Sequence, residues 1–548
     1  MIRGLMTSLL TTVAAVVGAT IVCQAEPRPL LTHHVRAVTL TGEAPLVGRL
    51  PATQSMKIDV VLALRDAPGL QSFLQEIYDP ASALYRQFLS VEQFSEKFGP
   101  TQEDFDTLSR FAEMNGFSVR GGSRHAMDLQ LTGSVAATEA AFHVQMGIYH
   151  DPIEDRDFYA PDREPTVELP FQLWHISGLD NYAIPRPALV RKPAAVKPAA
   201  TTGSCPDKSF CGSDMRAAYY GEEALTGKGQ SIGLLEYFGF DIADLNTYYK
   251  NANQTRTAAV VGISTDGSPL SCLFSEGCDD TEQIIDMTQA LGMAPAVTKL
   301  YIYVGSTDTA LLGSMSSHKP LPLNLSSSWG WFPADPSIDD PYFMRMAAQG
   351  QSFFTAAGDS GEWTPYNDAW EADSAYVIAV GGTDLTTKGP AGAWASETVW
   401  TPYGGGGISP DGIPIPSWQS LKGVITKANK GSKIYRNGPD VTANANFTFY
   451  VCADQQACTS NLYGGTSFAS PMWAGYLALA NEQAASKGDK PPGFINPAIY
   501  HLGLGSDYDI DFHDITVGNN GFPATKGYDL ASGWGSPNKD GLIDALAP

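Results

Sequence analysis

Short apolar segments alternate with helical segments from Cys205 to the end of the chain, and this alternation limits the folds open to it. The apolar segments are SIGLLEYF, KLYIYV, LPLNLSSS, SFFTAAG and YVIAVGG. A strand buried on both faces is apolar throughout, and a parallel neighbour needs a helical crossover between the two strands. The pattern therefore predicts an α/β domain over residues 205–548, with a mainly parallel sheet flanked by helices.

A smaller domain is expected ahead of it, within residues 26–184. MKIDVVLAL and HAMDLQLTGSV have the pattern of strands, and QEDFDTLSRFAEMNG is an amphipathic helix. GLQSFLQEIYDP is expected to be a helix ended by proline, and TEAAFHVQMGIY a helix capped by Thr138. This order favours a small α+β domain of ferredoxin-like type.

Two segments look like processing signals. Arg3 precedes the apolar run LLTTVAAVVGATIV, and CQA stands just before Glu26, so residues 1–25 resemble a secretory signal peptide. A membrane anchor is the alternative, but the run is short and interrupted by Thr and Gly. Residues 185–204 are rich in Pro and Ala, with four basic and no acidic residues. They predict an extended, exposed linker that contains a processing site.

Composition supports an exported protein that does not bind nucleic acid. The formal net charge of -23 opposes nucleic-acid binding and favours solubility. No segment after the signal is apolar for long enough to span a bilayer, and we expect a monomer without stable membrane association. One of the seven cysteines, Cys23, lies in the signal. The other six form three pairs spaced six residues apart, which predicts three local disulfides better than a metal site. The pairs are Cys205/Cys211, Cys272/Cys278 and Cys452/Cys458.

The stretch YGGTSFASPMWAG, residues 463–475, has the features of a nucleophile segment. Its glycines allow close backbone approach, and the apolar helix that follows offers its N-terminus to a developing negative charge. Pro471 is expected in the first turn of that helix, where proline is tolerated. An ordinary helix cap is the alternative interpretation of a bare Thr-Ser.

Two kinds of base are available to Ser467. Asp286, His318 and Ser467 occur in the chain order of a neutral subtilisin-like triad. However, Asp286 lies inside the predicted helix TEQIIDMTQALG, and His318 precedes Lys-Pro-Leu-Pro, which cannot begin a helix. Glu282 lies four residues before Asp286, on the same face of that largely apolar helix. Two carboxyl groups there can share a proton and serve as the base.

Asp359 is the third candidate. It follows an apolar strand in SFFTAAGDSG, and loops at the C-terminal ends of strands commonly carry α/β sites. A protonated carboxyl group there can donate a hydrogen bond to an oxyanion. A turn aspartate is the plainer alternative.

Together these segments resemble the sedolisin family of serine-carboxyl peptidases. The matching patterns are E-x-x-x-D ahead of G-x-A-P, A-A-G-D-S-G and G-G-T-S-x-x-x-P. The resemblance implies a subtilisin-like fold in which Ser467 is the nucleophile, Glu282 the general base, Asp286 its orienting partner and Asp359 the oxyanion donor. Glu236 and Trp329 are weaker matches to further residues beside the site.

The resemblance extends to both ends of the chain. YDPASALYRQFLSVEQFSEKFGP resembles the family's pro-kumamolisin-type activation domain, so residues 26–184 are expected to be an inhibitory propeptide, with a permanently attached domain as the alternative. FHDITVGNNGFPATKGYDLASGWGSPN resembles the family's calcium loop. The loop would bind one calcium ion through the side chains or carbonyls of Asp514, Ile515, Thr525, Gly527 and Asp529, with Thr525 standing where the family has glycine.

The resulting hypothesis is a secreted, acid-acting endopeptidase that hydrolyses polypeptides through an acyl-enzyme and processes its own precursor at low pH. A carboxylate base stays partly ionised in acid, where histidine is charged. Three alternatives remain open. One is a neutral subtilisin-like peptidase that uses His318, another is a tripeptidyl-peptidase, and the third is a non-catalytic binding protein on a peptidase fold.

Overall fold

The structure is a computed structural model that describes residues 26–196, 201–221, 224–365, 367 and 370–548. The signal peptide expected at residues 1–25 lies outside the described residues, as do residues 197–200 of the linker. Three disulfides join the cysteines in the predicted pairs, Cys205–Cys211, Cys272–Cys278 and Cys452–Cys458. None of the helices in the described ranges is long and apolar enough to cross a membrane.

A four-stranded antiparallel sheet forms the centre of the N-terminal domain. In order across the sheet, its strands are Ser118–Ser123, Asp128–Ser134, Ser55–Leu62 and Leu173–Ser177. The helices of the domain are Ala37–Thr41, Ala67–Ile77, Val91–Lys97, Gln102–Met114 and Val135–Phe142. Numbered along the chain, the strands lie in the order two, three, one, four, which is the ferredoxin-like arrangement expected from the sequence.

One predicted helix of this domain is shorter than expected. It begins at Val135, and its cap is Ser134, whose side chain accepts a hydrogen bond from the Ala137 amide. Thr138 is therefore a buried helical residue and not the cap. The segment after the helix forms the strands Met146–Asp151 and Arg156–Pro161, which make a second antiparallel sheet with the earlier strand Leu46–Arg49. A short helix contains too few turns for its apolar pattern to show where the helix ends and the following strand begins.

An eight-stranded, mainly parallel sheet forms the core of the second domain, as predicted. Along the sheet lie Ala259–Ser264, Lys299–Val304, Ser231–Glu236, Asn324–Ser327, Ser352–Ala356 and Ile378–Thr387. Val441–Asn444 pairs in parallel with the last of these strands, and Trp394–Val399 pairs with it antiparallel. The five apolar segments account for five of these strands. The remaining strands carry weaker apolar patterns, and Ala259–Ser264 is only partly buried.

Helices cover this sheet and carry several of the candidate site residues. Two are central: Thr281–Met293, called here the carboxyl helix, and Thr466–Lys487, called here the serine helix. The serine helix packs against the carboxyl helix and against several strands. The other helices are Gly212–Tyr219, Ile242–Asn251, Asp308–Ser317, Pro336–Ala348, Asn496–Gly503, Tyr508–Asp511 and Gly541–Leu546.

The linker is extended, as expected, but its first part is bound in a cleft instead of being exposed. Arg186–Pro187 pairs antiparallel with Trp329–Gly330, and Val190–Arg191 pairs antiparallel with Tyr463–Gly464. Between these two pairings, the Ala188 amide donates to the Ser328 carbonyl at 2.8 Å. Proline and alanine permit this extended backbone, and the polar backbone groups of the cleft complete its hydrogen bonds.

The N-terminal domain also contacts the second domain away from the linker. The Tyr78 hydroxyl donates to the Ala347 carbonyl at 2.8 Å and accepts from the Phe494 amide at 2.8 Å. The Phe88 ring lies against Gly350 and Gly493, where an added Cβ would come within 2.6 Å and 2.4 Å of the ring. These contacts position the domain so that its C-terminal linker enters the cleft.

Candidate active site

Ser467 lies in the first turn of the serine helix and is fully buried. Pro471 is the sixth residue of this helix, so the expectation that it would lie in the first turn is wrong. Proline has no N–H to offer the carbonyl four residues before it, which is that of Ser467. The Ser328 hydroxyl approaches that carbonyl at 3.4 Å instead.

The carboxyl helix brings Glu282 and Asp286 to the same place, as their spacing predicted. Glu282 is 4% exposed and Asp286 is fully buried. Asp286 Oδ1 accepts a hydrogen bond from the Ser328 hydroxyl at 2.7 Å. Within the described ranges, neither carboxyl oxygen of Glu282 has a hydrogen-bond partner of good geometry, and Glu282 faces Ser467 and Asp286.

A third carboxyl group joins this pair from the end of a central strand. Glu236 is the last residue of Ser231–Glu236, and its Oε2 accepts from the Trp329 indole at 3.1 Å. Burial raises the pKa of Glu236 well above its ordinary value, and the charge of Glu282 adds to this shift. The three carboxyl groups therefore form one buried chain that cannot be fully ionised.

The pKa values of the pair on the helix are shifted for the same reasons. Burial raises the pKa of Glu282 well above its ordinary value, Asp286 raises it further, and the nearby Ser467 hydroxyl lowers it. Burial also raises the pKa of Asp286, followed by the charge of Glu236, whereas the Ser328 hydroxyl lowers it. The raised pKa values keep part of this chain protonated, and a proton is shared among the three groups, so only a member that stays ionised can accept the proton of Ser467.

Asp359 lies in the turn after Ser352–Ala356, facing the start of the serine helix. Its Oδ1 accepts from the Thr466 amide at 2.8 Å and from the Thr466 hydroxyl at 2.9 Å. Its Oδ2 is buried and has no hydrogen-bond partner among the described residues. Burial raises the pKa of Asp359 to about 8, so the group is protonated in acid and its Oδ2 can donate.

Gly465 leaves the space in which Asp359 and the linker meet. A Cβ at this position would stand 2.2 Å from the Ala188 carbonyl oxygen and 2.9 Å from Asp359 Oδ2. Both oxygens thus lie against the same α-carbon. Because any side chain would collide with the backbone of the linker, the second glycine of the GGTS motif is required by close approach.

The Ala188 carbonyl is the group that this site holds. Its oxygen accepts from the Ser467 hydroxyl at 2.6 Å and from the Ser467 amide at 3.1 Å. The backbone amide of a serine and a protonated acid close to one carbonyl oxygen are groups of the kind that form an oxyanion hole. The site therefore surrounds the carbonyl of a bound peptide chain.

His318 lies elsewhere. It follows the helix Asp308–Ser317, its Nδ1 is 2.7 Å from the Tyr303 hydroxyl, and its ring packs on Tyr301 at 4.4 Å. Burial lowers its pKa. None of its contacts involves Asp286 or Ser467, so the geometry does not support the alternative triad.

Sequence reasoning missed three contributors to the site. Ser328 and Thr466 hold the carboxyl groups Asp286 and Asp359, and Ala188 occupies the cleft. The hydroxyl-rich run SSSWG at the end of a strand was a usable signal for Ser328. No sequence signal indicated the position of Ala188, because that position depends on pairing with residues far along the chain.

The predicted calcium loop is closed by two aspartates. Asp514 Oδ1 accepts from the Gly527 amide at 3.2 Å, and Asp529 Oδ2 accepts from the Thr525 amide at 2.6 Å. The Ile515 carbonyl accepts from the Ser532 hydroxyl at 3.4 Å. Burial raises the pKa of Asp529 to about 7. No group of three or more acidic, histidine or cysteine side chains in the described part of the chain is arranged to hold a metal.

This fold and site define a subtilisin-like serine peptidase preceded by an activation domain. Residues 324–492 match the Subtilase family model, and residues 43–181 match the model described as Pro-kumamolisin, activation domain. The chain is 30% identical to kumamolisin of Bacillus sp. (strain MN-32), over 95% of this chain and 97% of that protein. The chain belongs to the sedolisin family of serine-carboxyl peptidases.

Two further similarities bear on the fold and on the range of activities. The structure resembles that of Pseudomonas sedolisin, a serine-carboxyl proteinase complexed with two molecules of pseudo-iodotyrostatin. The TM-score is 0.52 at 27% identity, covering 64% of this chain and 99% of that one. Tripeptidyl-peptidase 1 of Dictyostelium discoideum is 22% identical over 93% of this chain and 92% of that protein.

Proposed function

We propose that the protein is an acid-acting, secreted endopeptidase that is made as an inactive precursor and cuts its own linker. The observation that carries this proposal is the Ala188 carbonyl oxygen, 2.6 Å from the Ser467 hydroxyl. In this proposal residues 26–184 are the propeptide, residues 185–204 contain the processing site, and residues 205–548 are the peptidase domain. The disulfides support export, because such bonds persist in oxidising compartments.

The scissile bond is assigned to Ala188–Leu189. Residues before it pair with Trp329–Gly330 and residues after it pair with Tyr463–Gly464, so the chain crosses Ser467 between two antiparallel pairings. β-pairing of this kind fixes an extended peptide by its backbone and leaves its side chains to determine specificity. The linker thus occupies the cleft as a substrate would, which also keeps other substrates out.

Endopeptidase action is favoured over tripeptidyl-peptidase action. Arg186 is the third residue before the proposed scissile bond, and the chain continues from it through Pro185 into the N-terminal domain. Arg186 also forms an ion pair with Glu154 of that domain. A cleft that removes only tripeptides must stop a chain at its third residue, whereas this cleft accommodates one that continues.

The proposed reaction uses the carboxyl chain as the base. The Ser467 hydroxyl turns from the Ala188 oxygen to Glu282, gives up its proton as Oγ attacks the carbonyl carbon, and Asp286 holds Glu282 in place. The Ser467 amide and the protonated Asp359 donate to the oxyanion. The proton then passes to the Leu189 amine as the C–N bond breaks, and water hydrolyses the Ala188 ester to release the acid.

Acidification of the purified precursor tests self-processing directly. At about pH 4, we expect the wild-type chain to be cut and the new N-terminus to begin at Leu189, as read by N-terminal sequencing. The Ser467→Ala precursor should stay intact under the same conditions. Equal cleavage of the Ser467→Ala precursor would contradict the proposal.

One calcium ion is proposed for the loop between Asp514 and Asp529, with the carbonyls of Ile515, Thr525 and Gly527 as further ligands. All of these donors are oxygens, which calcium prefers. The fully buried Asp529 carboxyl has no basic partner among the described residues, and a divalent cation would supply the missing positive charge. The ion would hold the loop together, and no step of the reaction needs it.

Calcium is therefore expected to affect stability. Saturating calcium should raise the Tm of the processed enzyme by about 5 °C relative to excess chelator, because binding to the folded state alone adds free energy of unfolding. The Asp529→Asn variant should lose most of this response when both are followed by calorimetry. An identical Tm with calcium and with chelator would contradict a site in this loop.

A further inference from the structure

An aromatic cluster lies beside the part of the cleft that would hold the leaving half of a substrate. It consists of Trp400, Tyr403 and Phe447, and is called here the aromatic cluster. The ring centroids are 4.8 Å apart for Trp400–Tyr403, 5.5 Å for Trp400–Phe447 and 5.4 Å for Tyr403–Phe447. Trp400 and Phe447 are both 2% exposed. Close ring pairs of this kind form a rigid apolar surface.

Backbone contacts fix the aromatic cluster relative to the reacting groups. The Tyr403 carbonyl accepts from the Gly361 amide at 2.7 Å, and Gly361 belongs to the turn that carries Asp359. On the other side, a Cβ at Gly464 would stand 3.0 Å from the Phe447 ring. Gly464 lies three residues before Ser467. These contacts join the aromatic cluster to the turn of Asp359 and to the segment that precedes Ser467.

The linker places an aliphatic side chain on this surface. Val190 packs against the buried group formed by two rings of the aromatic cluster, Trp400 and Phe447, together with Ala445, and its backbone pairs with Gly464. It is the second residue after the proposed scissile bond. Arg191, the next residue, is exposed. Successive side chains of an extended strand point in opposite directions, so the cleft takes an apolar side chain inward and leaves the following one in solvent.

A second aliphatic residue of the linker also lies against this apolar surface. Val196 also packs against the aromatic cluster, and it lines a cavity of about 420 Å³ together with the same three rings. Two valines of one segment thus rest on one apolar surface.

We propose that the aromatic cluster is a specificity subsite that selects an aliphatic residue at the second position after the scissile bond. The inference rests on the proposed function, because the position is counted from Ala188–Leu189. Burial of an aliphatic side chain against the rings contributes free energy that glycine cannot supply and that a hydroxyl group reduces.

Matched peptides test the subsite on the wild-type enzyme. Internally quenched peptides with the sequence of residues 185–192, PRPALVRK, would carry Val, Thr or Gly at the position of Val190. Thr has the shape of Val, so the Val–Thr pair isolates polarity from size. We expect kcat/KM at acid pH to be about fivefold higher for Val than for Thr and about tenfold higher than for Gly. Mass spectrometry would verify that each peptide is cut at Ala-Leu.

A variant locates the preference in the aromatic cluster. Phe447→Ala should bring the ratio of kcat/KM for the Val peptide to that for the Gly peptide to about one. A second ratio compares kcat/KM for peptides with Pro or Ala at the position of Pro187, which pairs with Trp329. This second ratio should stay as in the wild type. Tyr435→Ala serves as the control, because Tyr435 is an exposed aromatic residue that pairs with Pro414 outside the cluster. It should keep both ratios.

The outcomes separate this inference from the proposed function. Cleavage of all three peptides at equal rates by the wild-type enzyme would overturn the subsite and leave the peptidase proposal standing. Cleavage of none of them at any pH would overturn both. A preference for Val that survives in a folded Phe447→Ala enzyme would also overturn the assignment to the aromatic cluster.

Discussion

The Glu282→Gln variant is expected to lose about 10³- to 10⁴-fold in kcat/KM at the acid optimum, because glutamine cannot accept the proton of Ser467. Because this precursor should not cut itself, its linker would be cut by an added peptidase that is then removed, and the resulting enzyme would be assayed with the PRPALVRK peptide. Since glutamine has nearly the volume of glutamate, the packing of the carboxyl helix should not change. The loss should appear in kcat more than in KM, because Glu282 contacts the nucleophile and not the bound linker.

Stability distinguishes this catalytic role from a structural one. The folded-state pKa of Glu282 is raised, so its protonated form is favoured and its stabilising contribution is lost as the pH rises through that pKa. Glutamine has no such ionisation, and Glu282→Gln should unfold at the same or a higher Tm than the wild type at pH 7. His318→Ala is the matched control and should keep the wild-type kcat/KM. An active Glu282→Gln enzyme, or an inactive but folded His318→Ala enzyme, would contradict the proposed base.

The second large effect is expected at Asp359, where two substitutions should behave oppositely. Asp359→Ala removes the oxyanion donor and should lower kcat by about 10²- to 10³-fold at acid pH, where the wild-type carboxyl group is protonated. Asp359→Asn keeps an acceptor for the Thr466 amide and hydroxyl and offers an N–H that does not titrate. This variant should retain activity at pH 8, where the wild type has lost its own.

The direction of this pH effect follows from the pKa of Asp359. With the linker bound, burial raises that pKa to about 8. Release of the linker admits water to Oδ2, so the pKa in the processed enzyme should lie below that value and above the ordinary one. The wild type then loses its donor as the pH rises through that intermediate pKa, which is complete by pH 8. A pH profile that is identical for wild type and Asp359→Asn would contradict the role of Asp359 as the titrating donor.

Much of the carboxyl site could be predicted from the sequence because the residues that form each part of it lie close together along the chain. Glu282 and Asp286 are four residues apart in a helix of strong apolar character, and helical geometry alone places them on one face. Ser467 follows glycines and precedes a long apolar helix. Three of the main groups therefore depend on patterns that span fewer than ten residues each.

The segment that occupies the cleft could not be predicted, because its position depends on pairing between residues that are distant in the sequence. The Pro- and Ala-rich linker has the composition of a free spacer, yet Ala188 lies beside Ser467. The aromatic cluster likewise joins Trp400 and Tyr403 to Phe447 across separate loops. Composition indicates only which conformations are open to an isolated segment, whereas these contacts depend on the folded surface to which the segment binds.

The central claim is that carboxyl groups act as the general base in place of histidine. The pH dependence of kcat/KM for the processed enzyme tests this claim most directly. The proposed site predicts a bell-shaped profile with its maximum in acid and almost no activity above neutrality, unchanged in His318→Ala. A profile that instead rises through pH 6 to 7 to a plateau near pH 8, and that disappears in His318→Ala, would contradict it.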